Sequence, residues 1–194
     1  MNPTRDKIAR RKLLKAGLLG AAAAIVPIGA DAALRAVEPA NFVLRPAPIR
    51  ALSFYNVHTG ENLKAVYFEN GRYVPSALLE VNYFFRDFRA NQVKAIDPQL
   101  LDLLHRIHRA LDTSQPFNLI SGYRSPATNA WLASQSEGVA QHSLHMYGMA
   151  SDINVQGRSL ALLQAVALAM RGGGVGYYPR SDFVHVDTGR VRRW

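Results

Sequence analysis

Three separated stretches, SGYRSPATN at 121–129, SLHMYGMASD at 143–152 and DFVHVD at 182–187, hold the residues of this 194-residue chain best suited to chemistry. His145 and Asp152 lie seven positions apart, and Gly148 between them can supply a sharp bend. In Phe183-Val184-His185-Val186-Asp187, apolar and polar residues alternate. A strand there projects His185 and Asp187 from one face and sends Val184 and Val186 into the core. His145, Asp152 and His185 would make a His2Asp set with a fourth position open, the pattern of a catalytic zinc rather than a structural one. The chain contains no cysteine. That excludes disulfides, thiolate zinc sites, iron–sulfur clusters and cysteine nucleophiles, and leaves any metal to histidine and carboxylate. Spacing alone leaves two readings of these histidines open, metal ligands or structural residues.

The elements that must carry these stretches follow from periodicity. ALSFYNVHTGENLKAVYFENGRYVP, at 51–75, alternates apolar and polar residues and is broken at His58-Thr59-Gly60-Glu61 and at Asn70-Gly71, which predicts a hairpin and a third short strand. SALLEVNYFFRDFRA, at 76–90, places Leu78, Leu79, Tyr83, Phe84 and Phe88 on one helical face after Pro75 and Ser76. DPQLLDLLHRIHRALD predicts a second helix, capped by Asp97, started by Pro98 and repeating Leu100, Leu101, Leu104, Ile107 and Leu111. Then follow a strand and turn at FNLISGYRS, a helix near TNAWLASQ, a strand near MASDINV, a helix at SLALLQAVALAMR, and strands at GVGYY and DFVHVD. The order predicts an α+β fold, a single domain with a small antiparallel sheet and flanking helices.

Hydrophobic residues make up 48% of the chain and charged residues 19%, enough apolar material for a core and too little charge for disorder. The net charge is +9, of which residues 1–32, with six basic and two acidic side chains, supply +4. The remaining +5 suits an anionic polymer such as DNA or wall material without choosing between them. Residues 1–32 read as a basic stretch through Lys15, the apolar run AGLLGAAAAIVPIGA, and Ala30-Asp31-Ala32 before Ala33. These are the three parts of a cleaved secretory signal, and the run is too short to span a bilayer comfortably. Arg10-Arg11-Lys12-Leu13-Leu14 within it resembles a twin-arginine export signal. The expected organisation is a signal at 1–32, a Pro-spotted linker at 33–50 and, at 51–194, a domain that carries the candidate zinc ligands. Export, and the lack of a clustered basic helix, argue against DNA binding.

Ser143, His145, Gly148, Ala150 and Asp152 spell S-x-H-x-x-G-x-A-x-D, which resembles the signature of the LAS metallopeptidases (the M15 clan), a superfamily of D-Ala-D-Ala carboxypeptidases and peptidoglycan endopeptidases. The likeness continues through SGYRSPATN, GVGYYPRSDFVHVDTG, LSFYNVHTGE and NYFFRDFRANQVKAIDP, and is greatest to the MepK or YcbK-like group of exported murein endopeptidases. The resemblance implies an LAS, or hedgehog-like, metallopeptidase fold with Zn2+ bound by His145, Asp152 and His185. It implies a periplasmic, monomeric enzyme that cleaves peptide cross-links between murein stem peptides, with the 3-3 diaminopimelate bond favoured.

The same likeness implies that Arg124 holds a scissile carbonyl oxygen or a substrate carboxylate, and that Tyr123 and Ser143 bind substrate. Arg124 as a surface turn residue and Ser143 as a turn hydroxyl or an orienter of His145 are the alternatives. Hydrolysis needs a base to accept a proton from the attacking water, and Asp187 and Asp182 are the candidates. Asp187 is favoured for sharing the face of His185, either as base or as orienter of a ligand. Two rival functions remain, a murein-binding module without catalysis and a D-Ala-releasing carboxypeptidase. Complete ligands argue against the first. His105 and His108 read as exposed helix residues, His142 has a minor claim on the cleft, and Tyr147, Tyr177 and Tyr178 are candidate cleft residues. Phe84, Phe85, Phe88 and Trp131 read as core.

Overall fold

A computed structural model describes residues 49–135 and 138–194. The signal at 1–32 and all but the last two residues of the 33–50 linker lie outside the described residues. Among the described residues there are eight strands, β1 (Arg50–Asn56), β2 (Asn62–Glu69), β3 (Arg72–Tyr73), β4 (Phe117–Ser121), β5 (Ala150–Val155), β6 (Gly174–Tyr178), β7 (Phe183–Asp187) and β8 (Arg192–Arg193). The helices are α1 (Pro75–Phe84), α2 (Pro98–Ala110), α3 (Pro126–Gln135) and α4 (Leu160–Met170). The strands form one sheet in the order β3-β2-β1-β4-β5-β7-β6-β8. The α+β expectation holds. The sheet is wider than expected and mixed, because β1 pairs with β4 and β6 with β8 in parallel.

The two faces of the sheet have different jobs. Leu52 and Phe54 of β1, Ile153 and Val155 of β5, and Val184 and Val186 of β7 are buried with Leu100, Leu101, Leu104 and Ile107 of α2 and Leu163 of α4. Phe54 is the centre of an aromatic cluster, 5.0 Å edge-on from Phe85 and 6.0 Å from Phe117. Each such side chain contributes about 1.5–3 kcal/mol by leaving water. The alternate residues of the central strands, Asp152 and Asn154 on β5 and His185 and Asp187 on β7, are polar. A helix layer thus covers one face and leaves the middle of the other for a site. No helix among the described residues is long and apolar enough to cross a membrane.

Helix α2 begins as its sequence demands, with Asp97 accepting the backbone N–H of Gln99 at 2.9 Å. Helix α1 does not run to residue 90. It stops at Phe84 because the side chain of Asp87 accepts the backbone N–H groups of Arg89 and Ala90, at 3.0 and 3.3 Å, in competition with a further helical turn. Its buried face is Ala77, Val81 and Phe84, while Leu79 and Tyr83 are exposed. Trp131 is exposed rather than core, and Phe88 is half-buried. His105 and His108 are half-buried rather than exposed, His105 edge-on to Tyr67 and His108 against Phe117.

Candidate metal centre

Asp152 and His185 are direct cross-strand partners in the antiparallel pairing of β5 with β7. His145 reaches them from a single 3-10 turn, Leu144–Tyr147, which Ser143 caps by accepting the His145 N–H at 3.4 Å. Gly148 ends that turn at φ +69, and a Cβ there would run into the carbonyl oxygen of Ala95. Only glycine combines this backbone conformation with that approach. The bend therefore sets His145 and Asp152 at the start of β5 on one corner.

His145 Nε2 lies 3.2 Å from Asp152 Oδ1 and 3.2 Å from His185 Nδ1, and His185 Nδ1 lies 2.9 Å from Asp152 Oδ1. All three residues are buried. The other ring nitrogens have partners behind the corner. His145 Nδ1 donates to the Gly122 carbonyl at 2.6 Å and His185 Nε2 donates to Asp187 Oδ2 at 3.0 Å. Those partners fix the tautomers, so Nε2 of His145 and Nδ1 of His185 turn lone pairs toward each other and toward a carboxylate oxygen. Three converging acceptors repel unless a cation lies among them. Bonds of about 2.0–2.1 Å at tetrahedral angles set ligand atoms about 3.3 Å apart, so the triangle has the size a small divalent ion requires. The residues fit a metal.

Burial pushes the His145 imidazole down and favours its neutral, ligating form. Burial opposes ionisation of Asp152, but His145, His185 and Arg124 outweigh it and hold the carboxyl well below the usual range. Burial also opposes charge on His185, but Asp152 and Asp187 raise it, so that without a metal ion a proton on Nδ1 is the cation that relieves the corner.

Arg124 follows β4 in a turn whose Nε–H donates to Ser121 Oγ at 2.8 Å, and its guanidinium pairs with Asp152 Oδ2. One oxygen of Asp152 thus faces the corner and the other is neutralised. Tyr123 is not at the site: its N–H donates to Phe85 O at 2.8 Å and its ring is buried in the core. Ser143 is buried beside the cleft and acts on the His145 backbone.

The two candidate bases part company. Asp187 Oδ1 accepts from the N–H groups of Gly174 and Gly189 and from Arg192, at 3.0, 2.8 and 3.0 Å, while Oδ2 accepts from His185 and from Arg192 at 2.7 Å. Although burial opposes it, these donors hold the carboxyl of Asp187 well below its ordinary value. It is fully buried behind His185. Asp182 is exposed, in a left-handed turn before β7, where Asn154 Nδ2 donates to its carboxylate at 2.9 Å.

A cleft of about 540 Å³ opens over the corner. His58 in the β1–β2 turn, Arg89 and Leu132 line one flank, and Tyr178 of β6, Phe183 of β7 and Trp194, just after β8, line the other. His142 also lines it, whereas Tyr147 and Tyr177 do not. Three residues escaped the sequence reading. Arg192 and Trp194 reach the site only through the parallel pairing of β8 with β6, which no local pattern announces. Asp87 sat inside an apparent helix, and an acidic residue on its apolar side was the available signal.

The family described as Peptidoglycan L,D-endopeptidase MepK matches residues 45–194. The Peptidoglycan L,D-endopeptidase MepK of Escherichia coli (strain K12) is 47% identical over 185 residues, 95% of this chain and 96% of its own. A Haemophilus influenzae relative is 42% identical over 153 residues, 78% of this chain and 82% of its own. A crystal structure of Serratia marcescens L-Ala D-Glu endopeptidase ChiX matches 49% of this chain and 66% of that one, at 20% identity and a TM-score of 0.33. With the family matching three quarters of its length and relatives alike along nearly all of it, the chain belongs to the peptidoglycan L,D-endopeptidase MepK family of M15 peptidases.

Proposed function

We propose that this chain is a zinc-dependent endopeptidase that hydrolyses peptide cross-links between murein stem peptides, with the 3-3 diaminopimelate bond as its target. The observation that carries the reading is the trio of buried acceptors at the floor of an open cleft, with both imidazole tautomers fixed from behind. The names of its relatives supply the substrate class. The donor set of two imidazoles and one carboxylate, with no thiolate, suits zinc. When bound, that ion would supply Lewis-acid polarisation of a carbonyl and activation of water near neutral pH.

The roles of the chain's own groups follow. Gly122 O and Asp187 orient the two imidazoles, and Arg124, whose side chain lines the cleft, holds Asp152 in its ligating pose. Asp187 has no oxygen to spare, so it is a positioning residue. The proton acceptor is then Asp182, the other carboxylate flanking the last ligand, which Asn154 holds outside the residues lining the cleft and which must swing inward to serve. Ser143 fixes the turn that carries His145. The protein works as a monomer in the periplasm on peptidoglycan, after delivery by the twin-arginine machinery and cleavage before Ala33.

Digestion of defined 3-3 and 4-3 cross-linked muropeptides, with products weighed by mass spectrometry, tests the activity. Chelator-sensitive release of monomers from the 3-3 dimer is expected, and murein binding without any cleavage overturns the reading. N-terminal sequencing of the native protein should return Ala33, and a start before Ala16 contradicts export.

A further inference from the structure

Three arginines line the cleft, Arg89, Arg124 and Arg192. Two are neutralised by buried carboxylates, Arg124 by Asp152 and Arg192 by Asp187. Arg89 is different. Among the described residues its guanidinium meets no carboxylate, and it lies instead over the rings of Phe88, 4.4 Å from the centroid, and Trp131, 5.9 Å from the centroid. Trp131 is exposed, and Phe88 is stacked in turn on His58 at 4.5 Å, so the cation rides on an aromatic rim. Such a mount holds the fork of an arginine in place without using its hydrogen-bond donors.

The backbone beneath it is equally fixed. Asp87, 2% exposed, accepts the N–H groups of Arg89 and Ala90 on one oxygen and that of Ser125, the neighbour of Arg124, on the other. The turn that presents Arg89 and the turn that presents Arg124 are therefore tied to one buried carboxylate. Among the described residues, then, Arg89 is the cleft arginine without a carboxylate partner, and a bidentate donor seated over aromatic rings beside the cleft can receive an anion from outside.

We propose that Arg89 is the specificity-determining residue that captures a free carboxylate of the stem peptide, close to the bond to be cut. This rests on the endopeptidase reading above, which supplies the peptide. Capture orients the chain along the cleft and penalises stems whose carboxylate is amidated, because the amide cannot complete the charge-assisted fork.

The test compares a cross-linked muropeptide dimer bearing free carboxylates with the same dimer carboxamidated, on the full chain and on Arg89→Gln and Arg89→Lys. The wild-type chain should show a KM roughly 10- to 100-fold higher for the amidated dimer, with the effect on KM rather than kcat. Arg89→Gln should lose that preference, and Arg89→Lys should recover part of it. Calorimetric binding of both dimers to the chelator-treated protein repeats the comparison without catalysis. If neither dimer is cleaved but the binding preference depends on Arg89, the endopeptidase reading fails and the carboxylate site stands. A preference that survives Arg89→Gln, or none in the wild-type chain, overturns the proposal.

Discussion

Asp87 Oδ2 accepts the backbone N–H of Ser125 at 2.9 Å across 38 residues of sequence. Removing that buried acceptor by Asp87→Ala strands three N–H groups and should cost roughly 1–3 kcal/mol, or about 3–10 °C in Tm. Burial opposes ionisation of Asp87, but hydrogen bonds from Thr128, Ser125 and Ala90 outweigh it and lower its pKa. A lowered carboxyl stabilises the fold fully above its unfolded value of about 3.9 and loses that contribution as pH falls through the folded value. The Tm gap between the two proteins should therefore be constant from pH 7 to 5 and close below pH 4. A gap that widens on acidification contradicts the assignment.

His145→Ala, Asp152→Ala and His185→Ala should each remove most of the metal, because a small ion loses one of three protein ligands. Elemental analysis after dialysis should fall from one equivalent to a small fraction in all three. Circular dichroism should stay close to wild type, since the core lies on the opposite face of the sheet. One equivalent of tightly held zinc in any of them removes that residue from the ligand set.

Asp187→Asn and Asp182→Asn should fail differently. The first loses the charge and one of the two acceptor oxygens that hold His185 Nε2–H, Arg192 and the Gly174 and Gly189 N–H groups, and should weaken metal binding roughly 10- to 100-fold. The second should keep its metal and lose turnover by roughly 100-fold or more. Paired metal titrations and kcat measurements separate them. A metal-replete but inactive Asp187→Asn would return the proton-accepting role to Asp187.

Gly148→Ala should be among the most damaging single-methyl changes in the domain. A left-handed backbone costs an alanine about 1 kcal/mol, and the new methyl also meets the Ala95 carbonyl. A fall of more than about 2 kcal/mol in urea-derived stability, with weakened metal binding through the displaced His145 turn, is expected. Unchanged stability and affinity would mean that the turn is free to relax.

The sequence carried those parts of the molecule that local chemistry decides. Asp97-Pro98 starts α2 because cap and ring geometry act within one turn, and the alternation of Val184 and Val186 with His185 and Asp187 sorts the faces of β7. That His145, Asp152 and His185 share a corner was legible only through the S-x-H-x-x-G-x-A-x-D resemblance, since spacing alone left the histidines open between ligands and structural residues. What could not be read is settled between distant segments. Arg124 turns to Asp152 because β4 and β5 are neighbours, and Asp187 is enclosed by Gly174, Gly189 and Arg192 once β8 pairs beside β6. Tyr123 sits next to Arg124 in sequence and faces the core, since its N–H is bound to Phe85 O.

The arginines of the cleft differ in their exposure to dissolved ions. Asp152 and Asp187 keep 3% and 0% of their side-chain surface, so their pairs with Arg124 and Arg192 exclude most counterions. Arg89 on its aromatic rim is open to them, and the range of its field shrinks from about 10 Å at 0.1 M salt to about 3 Å at 1 M. Ionic strength should therefore act on capture and leave the chemical step nearly untouched, raising KM while kcat stays flat. Salt concentration would then set how firmly an anionic stem peptide is held without altering how fast it is cut.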